Sequence, residues 1–109
     1  MNNSFGIYDK SFTLIRESLA EFPEIEKAVI FGSRAMGNYK KGSDIDIVIC
    51  GENVNHNTIS RLHGKLNEEL PVPYFVDIIN YNSITLKELK EHIENSGKII
   101  YEKNSDHLK

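Results

Sequence analysis

Two acids one residue apart, Asp44-Ile45-Asp46, stand at the head of the most strand-like segment of the chain, DIDIVIC. Alternate residues of a strand share a face, so Asp44, Asp46 and Val48 lie on one side and Ile45, Ile47 and Ile49 on the other. Same-face neighbours sit about 6.5–7 Å apart along the backbone, a distance from which two carboxylates can reach one hard cation. Magnesium takes one or two carboxylates and fills its remaining positions with phosphates and water. A solvated strand face is the other reading of a lone Asp-x-Asp. The repulsion of two acids beside an Ile- and Val-rich run is what favours a cation.

Across ten intervening residues before Asp44, a short apolar run ends in Gly32-Ser33. Gly32 has no side chain to keep a bulky anion from the backbone, and Ser33 adds a hydroxyl. The first N–H groups of a helix starting there are unpaired and carry partial positive charge. Phosphate oxygens suit such a bend, although strand–Gly–Ser–helix junctions are also ordinary turns. A third acid, Asp77, is flanked by apolar residues in YFVDII, where a charge is costly unless it is paired or binds metal. An edge-strand charge or a lysine partner would equally explain it. If its strand lies beside that of Asp44 and Asp46, three carboxylates and a phosphate cradle meet, as two-metal phosphoryl chemistry requires.

The elements that must position these residues can be read from periodicity. Tyr8, Phe12, Ile15, Leu19 and Phe22 recur at helical spacing, and Pro23 ends that helix. Lys27 to Phe31 is expected as a buried strand, Arg34 to Met36 as one helical turn, and Asn38 to Ser43 as a loop. Asn57 is expected to cap a second long helix through Ile59, Leu62, Leu66 and Leu70, with Gly64 costing about 1 kcal/mol inside it. Tyr74 to Asn80 is a strand, with Phe75, Asp77 and Ile79 on one face. Thr85 and Glu88 form a capping box for a helix that buries Leu86, Leu89 and Ile93 and ends at Gly97. Lys98 to Glu102 is the last strand. The expected fold class is α/β (α+β), a small mixed sheet of about four strands with helices packed against it. One domain spans 1–109, with 103–109 a polar tail.

Gly32-Ser33, ten intervening residues and Asp44-x-Asp46, read together as GSRAMGNYKKGSDIDIVI with Asp77 on a later strand, resemble the DNA polymerase β-like nucleotidyltransferase superfamily. Over essentially its whole length the chain looks like the minimal nucleotidyltransferases of that superfamily, the MNT family. The resemblance implies a polymerase β palm-like fold and transfer of a nucleoside monophosphate, AMP from ATP, to a hydroxyl as pyrophosphate leaves. It also implies that Asp44 and Asp46 hold two Mg²⁺ ions against the triphosphate. Asp77 would complete one metal site and help deprotonate the acceptor, while Gly32 and Ser33 bind the outer phosphates. Arg34, Lys40 and Lys41 lie near enough in sequence to neutralise the leaving pyrophosphate, though solvated surface charge is the equal alternative for these three.

Larger members of the superfamily carry extra domains that hold the acceptor, so here another molecule or a partner protein is expected to present it. Small members commonly pair with a helical HEPN-domain protein as a toxin–antitoxin module, in which the nucleotidyltransferase is the antitoxin and adenylylates a tyrosine of its partner. A non-catalytic antitoxin that neutralises by binding alone is the alternative. A small-molecule, antibiotic-type nucleotidyltransferase is a third, and it would need an acceptor pocket that a dimer interface would have to supply.

The composition narrows the field. The chain has 109 residues with 13 basic and 16 acidic side chains, a formal charge of −3. That balance argues against gripping nucleic acid by bulk charge. No apolar run approaches the ~20 residues of a membrane span, and the first residues lack a signal-peptide pattern, so a cytoplasmic location is expected. Cys50, the single cysteine, reads as core. His56, His63, His92 and His107 lack metal-ligand spacing and read as surface or satisfied helix residues. Tyr39 either stacks on a nucleobase or covers its loop.

Overall fold

A computed structural model of the chain describes residues 5–40 and 42–103. The alternating acidic segment forms β2 (Ile45–Cys50), whose Ile45, Ile47 and Ile49 are completely buried. β1 (Lys27–Phe31) runs antiparallel to it with Phe31 opposite Asp46. β3 (Val76–Asn80) runs parallel to β2, and β4 (Lys98–Glu102) antiparallel to β1, giving the order β3-β2-β1-β4. A parallel pair requires a crossover connection. Here α3 (His56–Gly64) and a π-helical turn (Lys65–Glu69) provide it.

Helices cover both faces. Ile15 and Leu19 of α1 (Asp9–Ala20), Leu62 of α3 and Leu66 pack on Ala28, Ile30, Ile45, Ile47, Ile49, Val76 and Ile78. On the opposite face Val29 and Val48 meet Ile84 and Ile93, the latter from α4 (Lys87–Ser96). β1 ends where β2 and β3 begin, so the Gly32 bend and the acids share one end of the sheet. α2 (Ser33–Met36) starts directly after the bend. Among the described residues no helix is long and apolar enough to cross a membrane.

Three local expectations are corrected. The cap of α3 is Asn55, not Asn57: Asn55 Oδ1 accepts the Thr58 N–H at 3.1 Å and Thr58 Oγ1 accepts the Asn55 N–H at 3.4 Å. Threonine thus fills the role usually taken by Glu or Gln in a capping box. The Thr85–Glu88 box is not formed, because α4 starts at Lys87 behind an extended Leu86 without a side-chain cap. Leu86 is 59% exposed and Ile84 takes the buried place instead. Gly97 closes α4 in an extended conformation, and a Cβ there would strike the Ile93 carbonyl and the Val29 side chain. β4 has the bounds expected of the last strand, Lys98–Glu102, and of the expected polar tail, 103–109, residues 104–109 lie outside the described residues.

Candidate active site

Parallel pairing sets Asp46 and Asp77 side by side as register partners on β2 and β3. Adjacent strands are about 4.8 Å apart, so two carboxylates face each other on the side of the sheet opposite the α1 and α3 layer. Asp44 precedes β2 by one residue and shares that side with Asp46. Asp44 and Asp77 are exposed and Asp46 is half-buried. Burial, then the Asp77 carboxylate, then Asp44 push the Asp46 carboxyl above its ordinary value. Among the described residues no three His, Cys, Asp or Glu side chains are drawn into a ready-made ion cage. The acids fit a metal by their chemistry: hard oxygen donors whose mutual repulsion a divalent cation would relieve.

Gly32 stands against the middle of this group. Its φ of +77° is a left-handed conformation, and a Cβ at that position would come within 2.5 Å of Asp46 Oδ2. Only glycine allows both the bend and the approach of the acid. Ser33 follows as the first residue of α2, half-buried. The Gly32 N–H donates to His92 Nε2 of α4 at 3.2 Å, and the His92 ring meets Phe31 edge-on. His92, read from sequence as an ordinary helix residue, is therefore a neighbour of the bend. Sixty residues separate the two positions, and no spacing rule links them.

The basic residues divide. Arg34 is 2% exposed, and its guanidinium donates to the Ser43 carbonyl from Nε at 3.0 Å and from Nη2 at 2.7 Å. Its Nη1 donates to the carbonyls of Phe5 at 2.9 Å and Gly6 at 3.2 Å. The Tyr39 and Tyr74 rings lie 5.0 and 4.8 Å from the guanidinium carbon. Arg34, expected from sequence to face phosphate, is placed here among backbone carbonyls that engage its donors, one of them immediately before Asp44. Tyr39 covers this arginine. Lys40 is exposed in the loop, its backbone N–H held by Ser43 Oγ at 2.8 Å. Lys41 lies outside the described residues, as does His107.

The remaining candidates are peripheral. Burial raises the Cys50 thiol above its ordinary value, the opposite of nucleophile activation. His56 is exposed, and His63 packs edge-on against Phe75.

Comparison with known proteins bears on the fold and the family. The family model described as "Polymerase beta, Nucleotidyltransferase" matches residues 14–106. A mutant of the toxin–antitoxin MntA-HpeT superposes with a TM-score of 0.69 at 21% identity, over 89% of this chain and 77% of that one. A toxin–antitoxin structure with AMP-PNP gives 0.67 at 20% identity, over 94% and 79%. No curated protein sequence matches the chain. The structural likeness carries the fold, a small mixed four-stranded sheet with helices, and the family match spans most of the sequence. The chain belongs to the polymerase beta nucleotidyltransferase family.

Proposed function

We propose that the chain transfers AMP from ATP to a hydroxyl, that the acceptor is a tyrosine of a HEPN-domain toxin, and that the chain thereby acts as an antitoxin in the cytoplasm. The observation that carries this reading is the contact of the Gly32 bend with Asp46, itself the register partner of Asp77. It brings a backbone able to accept phosphate against an acid whose ionised form is destabilised by burial and by two like charges. Nucleotidyl transfer needs that juxtaposition of anion cradle and cation ligands. A non-catalytic binder gains nothing from it.

Asp44, Asp46 and Asp77 are the residues that would hold Mg²⁺, two ions in this reading. Bound Mg²⁺ supplies charge neutralisation for the triphosphate and the acceptor oxygen. Gly32, without a Cβ, lets Asp46 come up to the bend, and the Gly32 N–H and the Ser33 hydroxyl donate to outer phosphate oxygens. Asp77, more exposed than Asp46, accepts the proton of the incoming hydroxyl. Lys40, with Lys41 beside it, supplies charge to the departing pyrophosphate. The toxin–antitoxin character of the structural neighbours, one of them with AMP-PNP, supports a protein acceptor and an adenine nucleotide.

The test is incubation with Mg²⁺, α-labelled ATP and a purified HEPN-domain toxin that the chain neutralises. Label is expected on the partner, lost with Asp46→Asn and with partner Tyr→Phe substitutions. Toxin neutralised equally well by Asp46→Asn, with no label on it, would establish binding alone as the activity.

A further inference from the structure

Among the described residues β3 is an edge strand, with β2 on one side and no strand on the other. The N–H and C=O of alternate strand residues point to opposite edges. The Phe75 carbonyl faces β2, accepting the Ile45 N–H at 2.9 Å, so Val76 points outward and Asp77 inward again. An outward residue at an edge ordinarily turns to water. Here the Val76 N–H donates to Asn67 Oδ1 at 2.8 Å, and Asn67 Nδ2 donates to the Val76 carbonyl at 2.9 Å. One side-chain amide thus makes both bonds that a neighbouring strand would make. Asn67 Nδ2 also donates to the His63 carbonyl at 3.0 Å, tying the amide to the end of α3. It is carried on the π-helical turn, where the Leu70 N–H reaches back to the Lys65 carbonyl. Such turns recur at functional positions.

We propose that Asn67 is the positioning residue of Asp77: its amide substitutes for the missing outer strand and holds the residue before Asp77, so that this carboxylate stays beside Asp46. Val76 is fixed from two directions, its side chain in the core with no exposure and its backbone by Asn67. No freedom is left one residue before the acid. Asp77 itself, at the exposed end of the site, has no side-chain hydrogen bond among those described, so its aim depends on the backbone that carries it. The inference rests on the nucleotidyltransferase reading, which makes Asp77 a metal-binding acid. Partners that orient metal ligands are worth about 10- to 100-fold in metal affinity or activity.

The experiment is a double-mutant cycle of Asn67→Ala and Asp77→Asn on the full chain. Mn²⁺ binding is read from the paramagnetic signal of the free ion in the presence of ATP, and transfer rate is measured at varied Mg²⁺. Exchange of the Val76 amide proton reports whether the clamp is broken. Asn67→Ala should weaken Mn²⁺ binding about tenfold and raise the Mg²⁺ needed for half-maximal rate. It should leave the KM for ATP within about twofold, because the phosphate cradle is on β1 and α2. In the Asp77→Asn background it should cost nothing further. Asn67→Asp keeps the acceptor for the Val76 N–H, so partial retention is expected there, and it serves if Asn67→Ala does not fold. Equal losses with and without Asp77, or a fast-exchanging Val76 amide with unchanged Mn²⁺ binding, overturn the inference while the functional reading stands. A wild-type chain that neither binds Mn²⁺ nor transfers nucleotide overturns both.

Discussion

Asp46 and Asp77 are partners across a parallel strand pair, two acids of like charge on one face, with Gly32 closing over the first of them. In a sheet, like charges directly opposite destabilise. The pair is therefore a local cost to the fold, offset by the buried isoleucines on the reverse side of β2. Stability has been given up where cation and phosphate chemistry would use it.

The cost has a definite pH dependence. Because the Asp46 carboxyl is raised by burial, Asp77 and Asp44, the folded chain holds its proton more tightly than the unfolded chain. Its stabilising contribution is complete below the ordinary Asp value and is lost as pH rises through the raised folded value. In metal-free buffer, Asp46→Asn should therefore melt higher than wild type at neutral pH, with the gap closing on acidification. Calorimetric melting from pH 3 to 8 checks this, and a variant less stable at pH 7 contradicts it. Transfer activity should be lost in the same protein.

Divalent cations should act in the opposite sense. Binding to the folded chain alone adds about 2.7 kcal/mol at a hundredfold excess over Kd. Mg²⁺ or Mn²⁺ should raise the melting temperature at pH 7.5 and much less at pH 4, where protons compete for the acids. EDTA should reverse the shift. The gain should shrink in Asp46→Asn.

Gly32→Ala tests the bend. The residue would have to adopt φ near +77° with its Cβ on the Asp46 carboxylate. Destabilisation of more than about 1 kcal/mol is expected from the backbone alone, and nucleotide binding should fall with it. Gly37→Ala is the control: φ there is +83°, but among the described residues nothing beyond its immediate chain surroundings lies within 4 Å of the added carbon. It should lose stability but keep nucleotide affinity.

His92 provides a reporter of the phosphate cradle. A phosphate oxygen that takes the Gly32 N–H must displace His92 Nε2. Titrating ATP should shift the ring resonances of His92 and leave those of exposed His56 in place. In His92→Phe the N–H loses its partner at a cost of about 1 kcal/mol, while the edge contact with Phe31 can persist.

Much of this was legible in the sequence. Strict alternation in DIDIVIC separated the acids from the core isoleucines, and the apolar KAVIF and KIIYE runs marked two strands with their observed bounds. Local capping was less legible: Asn55 and Asn57 are both good caps by type. The observed cap, Asn55, is the one that directly follows the buried Val54. The direction of Arg34 was not legible for a different reason. Proximity of Arg34 to the motif gave no direction, and its direction is set by carbonyls of Phe5, Gly6 and Ser43. Asn67 and His92 act across the fold, on Val76 and Gly32, through contacts with no local pattern.

Arg34 yields the sharpest contrast with the phosphate-binding expectation. A residue that neutralised pyrophosphate would affect nucleotide KM and its salt dependence when changed. A residue whose fork holds the Ser43 carbonyl would act on Asp44 and on stability instead. Lysine keeps the charge but lacks the planar fork and its five donors. Arg34→Lys should lose about 2–4 kcal/mol, since carbonyls on three residues lose partners in a buried place. Its remaining activity should need more Mg²⁺ at nearly unchanged ATP KM. Lys40→Ala should do the reverse, raising KM with salt-sensitive binding and leaving the melting temperature within about 2 °C, as expected of an exposed side chain. If Arg34→Lys folds as well as wild type and raises only the ATP KM, the guanidinium belongs to the phosphate site after all. The four hydrogen bonds that engage it here argue for the first outcome.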